Sequence, residues 1–389
     1  MGDMSIVSAL NLSRRTSAAF ILLGSFWGGF AALVPVIKAG LGVDDGVFGL
    51  LLLGSAVGLV SAMWLAPRAD RVLGARGMQV AALGMAVMWQ GMGLVSLPWM
   101  FAGLMVFLGM FSGLLDVIMN SRVSELEART GRSLMNVNHA MFSLGYALSA
   151  IATGIAREAG MGPSEVFGAL ALLTVAVVMA LRVPAAMVSA EEGYSGGYPL
   201  VTALLCGAIV FVAFASEATV ESWSALHVER TLGGGAAQGA LGPAMLGLTM
   251  AFGRFSGQAV AERFHELPVI IWASLISGTG AVIAALAPSP LIAYVGFGTM
   301  GLGVSVVGPM ALALVGKLVP PHLRTEAISK GAVMGFAGFF FAPVFMGLMS
   351  EMFGLRAAFA GVGVFLCFSV PLALVLQRRG QSAVRSSGL

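Results

Sequence analysis

GLLDVIMNSRVSELEARTGRSLMNVNHAMFSLG, residues Gly113 to Gly145, decides how this chain is read. Two apolar runs meet through a short charged turn, and on the apolar side of that turn stand Asp116, Asn120, Asn136, Asn138 and His139. Hydrocarbon offers such groups no hydrogen-bond partners, so an acid, an imidazole and three amides at one depth of a bilayer point to function.

That a bilayer is involved follows from composition. Of the 389 residues 58% are hydrophobic and only 10% are charged, with a mean hydropathy of +0.94. Soluble domains carry about 25% charged residues, so the chain is expected to be an all-α, multi-pass membrane protein. The sequence pI near 9.1 is no sign of nucleic acid, because the basic residues fall in short connections between apolar runs, where they set orientation. Cys206 and Cys367 both lie in apolar runs and suggest neither a disulfide framework nor a metal cluster. Arg14 and Arg15 precede an apolar run from Thr16 to Ile37, which is long enough to span and too long for the core of a signal peptide.

About 20 apolar residues cross a bilayer, and by this measure twelve segments are expected, near 16–38, 46–66, 77–96, 98–121, 133–156, 163–182, 199–224, 239–260, 267–287, 290–317, 325–349 and 355–377. Ser96-Leu97-Pro98 and Ala287-Pro288-Ser289-Pro290 mark tight turns, since proline starts helices and cannot continue them. Alternate connections collect fifteen Lys and Arg on one side, while the other side has Lys38, Arg157, Arg230 and Arg356. The positive-inside rule then puts both termini in the cytoplasm, and the location expected is a bacterial inner membrane. Arg182 to Pro199 is the longest internal connection and divides the spans six and six. The expected organisation is a six-helix bundle over 1–182, a cytoplasmic linker over 183–198 and a second bundle with a short tail over 199–389. Acidic-basic pairs recur after the second and eighth spans, at Asp70-Arg71 and Glu262-Arg263, as repeated halves would give.

With these residues in hand, the chain resembles the major facilitator superfamily. The loop Ala66-Pro-Arg-Ala-Asp70-Arg71-Val-Leu-Gly74-Ala-Arg76-Gly is similar to that superfamily's signature between spans two and three, with Ala66 where the signature has glycine. Within it, Asp116 followed by Asn120, and Asn138-His139 before Phe142-Ser-Leu-Gly145, resemble the fucose permease branch, although the first span here contains no acid. The resemblance implies two pseudo-symmetric six-helix bundles enclosing a central cavity. It also implies alternating access, and it places Lys330 beside Asp70.

Asp116 falls about 9 Å to the cytoplasmic side of the bilayer centre at 1.5 Å per residue, and His139 reaches a similar depth on the returning helix. Asn120 is one turn from Asp116 on the same face. These residues are expected to carry proton coupling, Asp116 with His139 loading and releasing the proton while Asn120 and Asn138 connect them to substrate. The competing reading is a static polar cluster that fixes packing. Glu217 and Glu221 share one face of the seventh span; Glu217 is expected to touch substrate in the outer half, and Glu221 to be solvated. Trp27 is expected at the substrate, and Phe26, Phe30 and Phe142 either stack there or pack. Arg254 is expected deep in the eighth span, as a salt bridge or near Asp116. Asp70, Arg71, Arg254 and Lys330 are the expected gating residues.

The function these readings favour is proton-coupled uptake of a small polar solute, sugar-like or related, by a monomer in the lipid bilayer with no cofactor but the coupling proton. A multidrug or metabolite exporter is the alternative, disfavoured because the fifth span lacks the GPxxGG element that the resemblance to this superfamily associates with drug antiporters. A membrane receptor fits poorly with loops too short to form a soluble domain. An enzyme fits worse: the histidines at 139, 227, 265 and 322 form no HExxH and no nucleophile motif appears.

Overall fold

In the computed structural model the described residues are 6–184, 200–319 and 324–386. Thirteen α-helices make up the described architecture. They are α1 (Ile6–Leu41), α2 (Asp45–Leu73), α3 (Gly77–Met92), α4 (Pro98–Thr130), α5 (Met135–Glu158), α6 (Pro163–Val177), α7 (Leu200–Leu226), α8 (Ala236–Arg263), α9 (Glu266–Leu286), α10 (Pro290–Leu318), α11 (Arg324–Phe336), α12 (Gly338–Cys367) and α13 (Ser369–Ser386). No strand occurs among the described residues. The expected linker over 183–198 lies almost wholly outside them.

Local chemistry sets the boundaries. Pro98, Pro163 and Pro290 open their helices at the first turn, where a missing N–H costs nothing. Asp44 caps α2 by accepting from the Val47 N–H at 2.7 Å. Gly131, at φ 65°, ends α4. The Glu127 carboxylate then accepts from the N–H of Leu134 at 2.5 Å and of Met135 at 2.8 Å, so an acid in the charged turn starts the next helix.

Twelve crossings result from thirteen helices because Gly354 interrupts α12. Its φ of 80° and ψ of 164° suit glycine alone. The eleventh crossing is α11 with the first part of α12, and the twelfth is the rest of α12 with α13. Nine helical runs among the described residues are long and apolar enough to cross a membrane. Two of these, Asp45–Met92 and Lys330–Arg378, are each two crossings joined end to end, and α8 supplies one more. Several helices exceed their expected lengths, α1 and α4 among them. α1 begins at Ile6, with a non-helical Ser13 (φ −105°, ψ 18°) between its outer turns and its apolar body. α4 runs on to Thr130 because Glu, Leu and Ala favour helix beyond the hydrocarbon.

α1 packs on α5 and α2 on α4; in the second half α7 packs on α11 and α8 on α10. The halves meet where α5 packs on α8 and where α2 packs on the first part of α12. At that second seam a Cβ on Gly49 would lie 2.3 Å from the Pro343 carbonyl oxygen, so the seam requires glycine. Cys206 is buried as expected, whereas Cys367 is exposed on the outer face of α12; both are free. The result is an all-α membrane fold of twelve crossings in two pseudo-symmetric bundles.

Candidate functional site

A cavity of about 230 Å³ lies between the halves, lined by α1, α2, α4, α5, α7, α8, α11 and α12. Asp116, His139, Glu217, Glu221 and Arg254 all stand in its wall. Aromatic rings make up much of the rest: Phe20, Trp27 and Phe30 from α1, Phe142 from α5, and Phe214, Phe336 and Phe339 from the second half.

The polar groups form one chain. Asn120 donates from Nδ2 to Asp116 Oδ1 at 3.0 Å and to the Asp116 carbonyl at 2.8 Å. Its Oδ1 lies 3.1 Å from His139 Nε2. With the Asn120 amide oriented in this way, Nε2 carries the proton and donates to Oδ1. Arg254 continues the line from α8. Its Nη1 donates to Ser143 Oγ at 2.5 Å and to the His139 carbonyl at 3.4 Å, and its Nη2 pairs with Glu217 at 3.3 Å. Helix geometry explains the convergence: Asp116 and Asn120, like His139 and Ser143, are four residues apart and share a face.

The Asp116 side of this site and Glu217, expected at separate depths, are therefore joined through Arg254. Arg254, expected as a salt bridge or near Asp116 and also in a gate, stands in the cavity wall between α5 and α7, paired with Glu217 and bonded to the His139 carbonyl. Asn138 is placed differently from the expectation that it faces substrate. It is fully buried, its Oδ1 accepting from Thr16 and Ser17 at 3.1 and 3.0 Å and its Nδ2 donating to Ser13 and the Leu134 carbonyl. Three of these four bonds tie α1 to α5, and the fourth closes on the start of α5 itself. Trp27 reaches the cavity while packing edge-on against Trp89. Phe26 is fully buried and stacks on Trp89.

Glu221, expected to be solvated, faces the cavity one turn beyond Glu217. The i, i+4 spacing carried that signal; depth along the helix pointed the other way.

Of the expected gating residues, Asp70 pairs with Arg122, whose side chain is 1% exposed and also binds Glu125 at 3.0 Å. Arg71 donates from Nε to the Pro67 carbonyl at 3.2 Å and is exposed, as is Lys330 on α11. Arg122 was visible in the sequence only as one more basic residue of the charged turn.

At the end of the bundle that holds the turn between α1 and α2, the halves are bound by charge. Arg157 of α5 pairs doubly with Glu229, at 2.6 and 3.0 Å, in the single π-helical turn His227–Thr231 that follows α7. Arg230 in the same turn grips Asp45 at 2.8 and 2.5 Å, and Asp45 also holds Ser350 and Lys38. Glu351 accepts from the Gly46 N–H at 2.8 Å. No sequence pattern announces a π-turn, so this latch was not legible beforehand.

The comparisons agree with the fold. The Major Facilitator Superfamily model matches residues 205–388. An MFS-type transporter of Yersinia pestis is 28% identical over 371 residues, covering 94% of this chain and 95% of the relative. Among solved structures, a bacterial homologue of the human lysosomal transporter Spinster, inward-facing and occupied, superposes with a TM-score of 0.73 at 18% identity, covering 97% of this chain and 98% of the other. A D-xylose-proton symporter does so with a TM-score of 0.72 at 14% identity, covering 96% and 97%. The relatives and structural neighbours are transporters and not enzymes. The twelve-crossing fold, the family model over the second half and relatives that run the length of the chain agree: this chain is similar over nearly its whole length to transporters of the major facilitator superfamily.

Proposed function

We propose that the protein is a proton-coupled importer of a small polar solute, working by alternating access as a monomer in a bacterial inner membrane. The observation that carries this reading is the Asn120 bridge between Asp116 and His139 in the cavity wall. A carboxyl that meets the cavity on one side and an amide-imidazole pair on the other can exchange a proton with the cavity as its hydration changes between two states. Through the His139 backbone and Ser143 the same wall holds Arg254, so the Asp116 side and the Glu217–Arg254 pair meet at one residue, His139, the first at its ring and the second at its carbonyl. Asp116 carries the proton and His139 passes it on. Trp27 and Glu217 govern solute binding; Asn120, expected at the substrate, is not among the cavity-lining residues and acts by joining Asp116 to His139, and Asn138 acts at a distance by holding α1 to α5. The acid-then-asparagine pattern of the fucose permease branch supports the same roles.

The fifteen basic residues in alternate connections support cytoplasmic termini. The Arg157 and Arg230 latch is then external, and the cavity is shut from the outside. Asp70, Arg71 and Lys330 form the gate at the cytoplasmic end.

The test is accumulation in proteoliposomes under an imposed pH gradient, using a solute found by thermal-shift screening of sugars, organic acids and nucleosides at two pH values. Asp116→Asn should abolish uphill accumulation while leaving counterflow partly intact. Unimpaired uphill transport in that variant rules the role out, and gradient-driven efflux in place of uptake reverses the direction.

A further inference from the structure

We infer that the cavity takes a solute bearing a cationic amine, with Glu221 as its countercharge. The inference rests on reading the cavity as the solute site and adds the chemical class of what binds there.

The cavity wall holds three carboxylates against one guanidinium. Two of the three acids are already engaged. Glu217 is paired with Arg254 at 3.3 Å, and Asp116 accepts from Asn120 at 3.0 Å. Glu221 has no hydrogen bond or ion pair among the described residues; it lies in the wall of a largely apolar cavity, where the only positive charge acting on it is Arg254, already paired with Glu217. A lone carboxylate there is costly unless a positive charge arrives to meet it. A neutral sugar brings none, and an acid adds a second negative charge.

Two further features fit an amine. Phe214, Phe336 and Phe339 form a ring cluster with centroids 5.6 to 6.2 Å apart, and Phe214 shares the α7 face with Glu217 and Glu221. Ring faces beside a carboxylate make a receptor for ammonium, which the ring quadrupole attracts. On the opposite wall Ser112 is 5% exposed, lines the cavity, and its Oγ has no partner. An unpaired buried hydroxyl has unmet demand for a hydrogen bond, which a hydroxyl or amine on the solute satisfies. The site thus asks for a small molecule with one positive charge and at least one further polar group.

The experiment compares solutes that differ only in charge. Thermal unfolding of the purified protein is followed with D-glucosamine, D-glucose and D-glucuronate, and with phenethylamine and 2-phenylethanol. In at least one of the two sets the amine should raise the unfolding temperature at concentrations about tenfold below its neutral partner. Glu221→Gln should erase that preference, and Glu221→Asp should keep it. Unfolding without solute and gel-filtration behaviour show whether each variant is folded. If Glu221→Gln does not fold, the preference of the unsubstituted protein decides. Equal stabilisation by neutral and amine partners, preference for glucuronate, no effect of either amine, or a folded Glu221→Gln that keeps its preference overturns the inference. Binding is measured without a gradient, so amine selectivity stands even if proteoliposomes show no proton-driven flux, a result that defeats only the proposed coupling.

Discussion

Arg157 and Glu229 join the two halves by a two-point ion pair, 2.6 and 3.0 Å, with the Arg157 side chain only 6% exposed. The same guanidinium donates to the Ala32 carbonyl at 2.7 Å, so α1, α5 and the turn after α7 are fixed by one side chain. Buried two-point pairs of this kind are costly to break singly, because one charge is left behind.

Glu229→Gln should therefore loosen the latch, and Arg157→Ala more so. Spin labels placed on the α1–α2 and α7–α8 turns should report a longer-distance population that grows by about tenfold, equivalent to about 1.4 kcal/mol. Exchanging the two charges should recover part of the wild-type distribution. An unchanged distribution in both single variants would show that the Asp45–Arg230 pair alone holds this end.

A second pair lies inside the cavity. Arg254→Ala leaves Glu217 without its partner, and this should cost about 3 kcal/mol of stability in detergent. Arg254→Ala combined with Glu217→Ala should be less damaging than the sum of the two, because neither partner of the pair is then left without the other. Strict additivity of the melting shifts would mean that the pair is not energetically coupled.

How much of this was legible depends on whether the signal is local. The helix count came from apolar length and proline, and the convergence of Asp116, Asn120 and His139 came from spacing across one short turn. Asn138 misled because a polar residue in a span looks functional whether it faces a cavity or a neighbouring helix; only its pairing with Ser13, Thr16 and Ser17 tells the two apart. Glu221 was underrated because depth along a helix says nothing about which face is turned inward. Arg157, Glu229, Asp45 and Arg230 are far apart in sequence, and their meeting depends on a π-turn and on how two bundles lean together. No one-dimensional pattern encodes either.

Asn138→Ala should act as a structural change. Removing the amide breaks the bonds from α5 to Ser13, Thr16 and Ser17 and leaves those hydroxyls only their partners within α1, at a cost of about 1 to 3 kcal/mol. The expected signature is a lower melting temperature with nearly unchanged solute affinity in the folded fraction. A large loss of affinity at unchanged stability would return Asn138 to the cavity.

Gly354→Ala should destabilise the connection between the eleventh and twelfth crossings, since φ 80° with ψ 164° is open to glycine and strained for any Cβ. A Cβ there meets nothing within 4 Å, so the penalty is conformational. About 1 to 3 kcal/mol is expected, read as a fall in melting temperature without loss of solute selectivity. Equal stability would mean that the break relaxes to another backbone conformation.

Asn120 offers the sharpest separation of coupling from binding. Asn120→Leu keeps Asp116 and His139 but removes the atoms that join them, leaving Asp116 without its side-chain donor and His139 Nε2 without its acceptor. If the amide relays between the two, counterflow should persist while gradient-driven accumulation falls by about tenfold or more, and the pH dependence of uptake should move, because the carboxylate form loses a hydrogen bond that favours it. Asn120→Asp places a second acid one turn from the first, and like charges at that spacing disfavour joint ionisation. Its uptake should then depend on pH over a broader range than that of the unsubstituted protein. Wild-type accumulation and pH profile in Asn120→Leu would show instead that Asp116 exchanges its proton directly with the cavity, with His139 a neighbour and no participant.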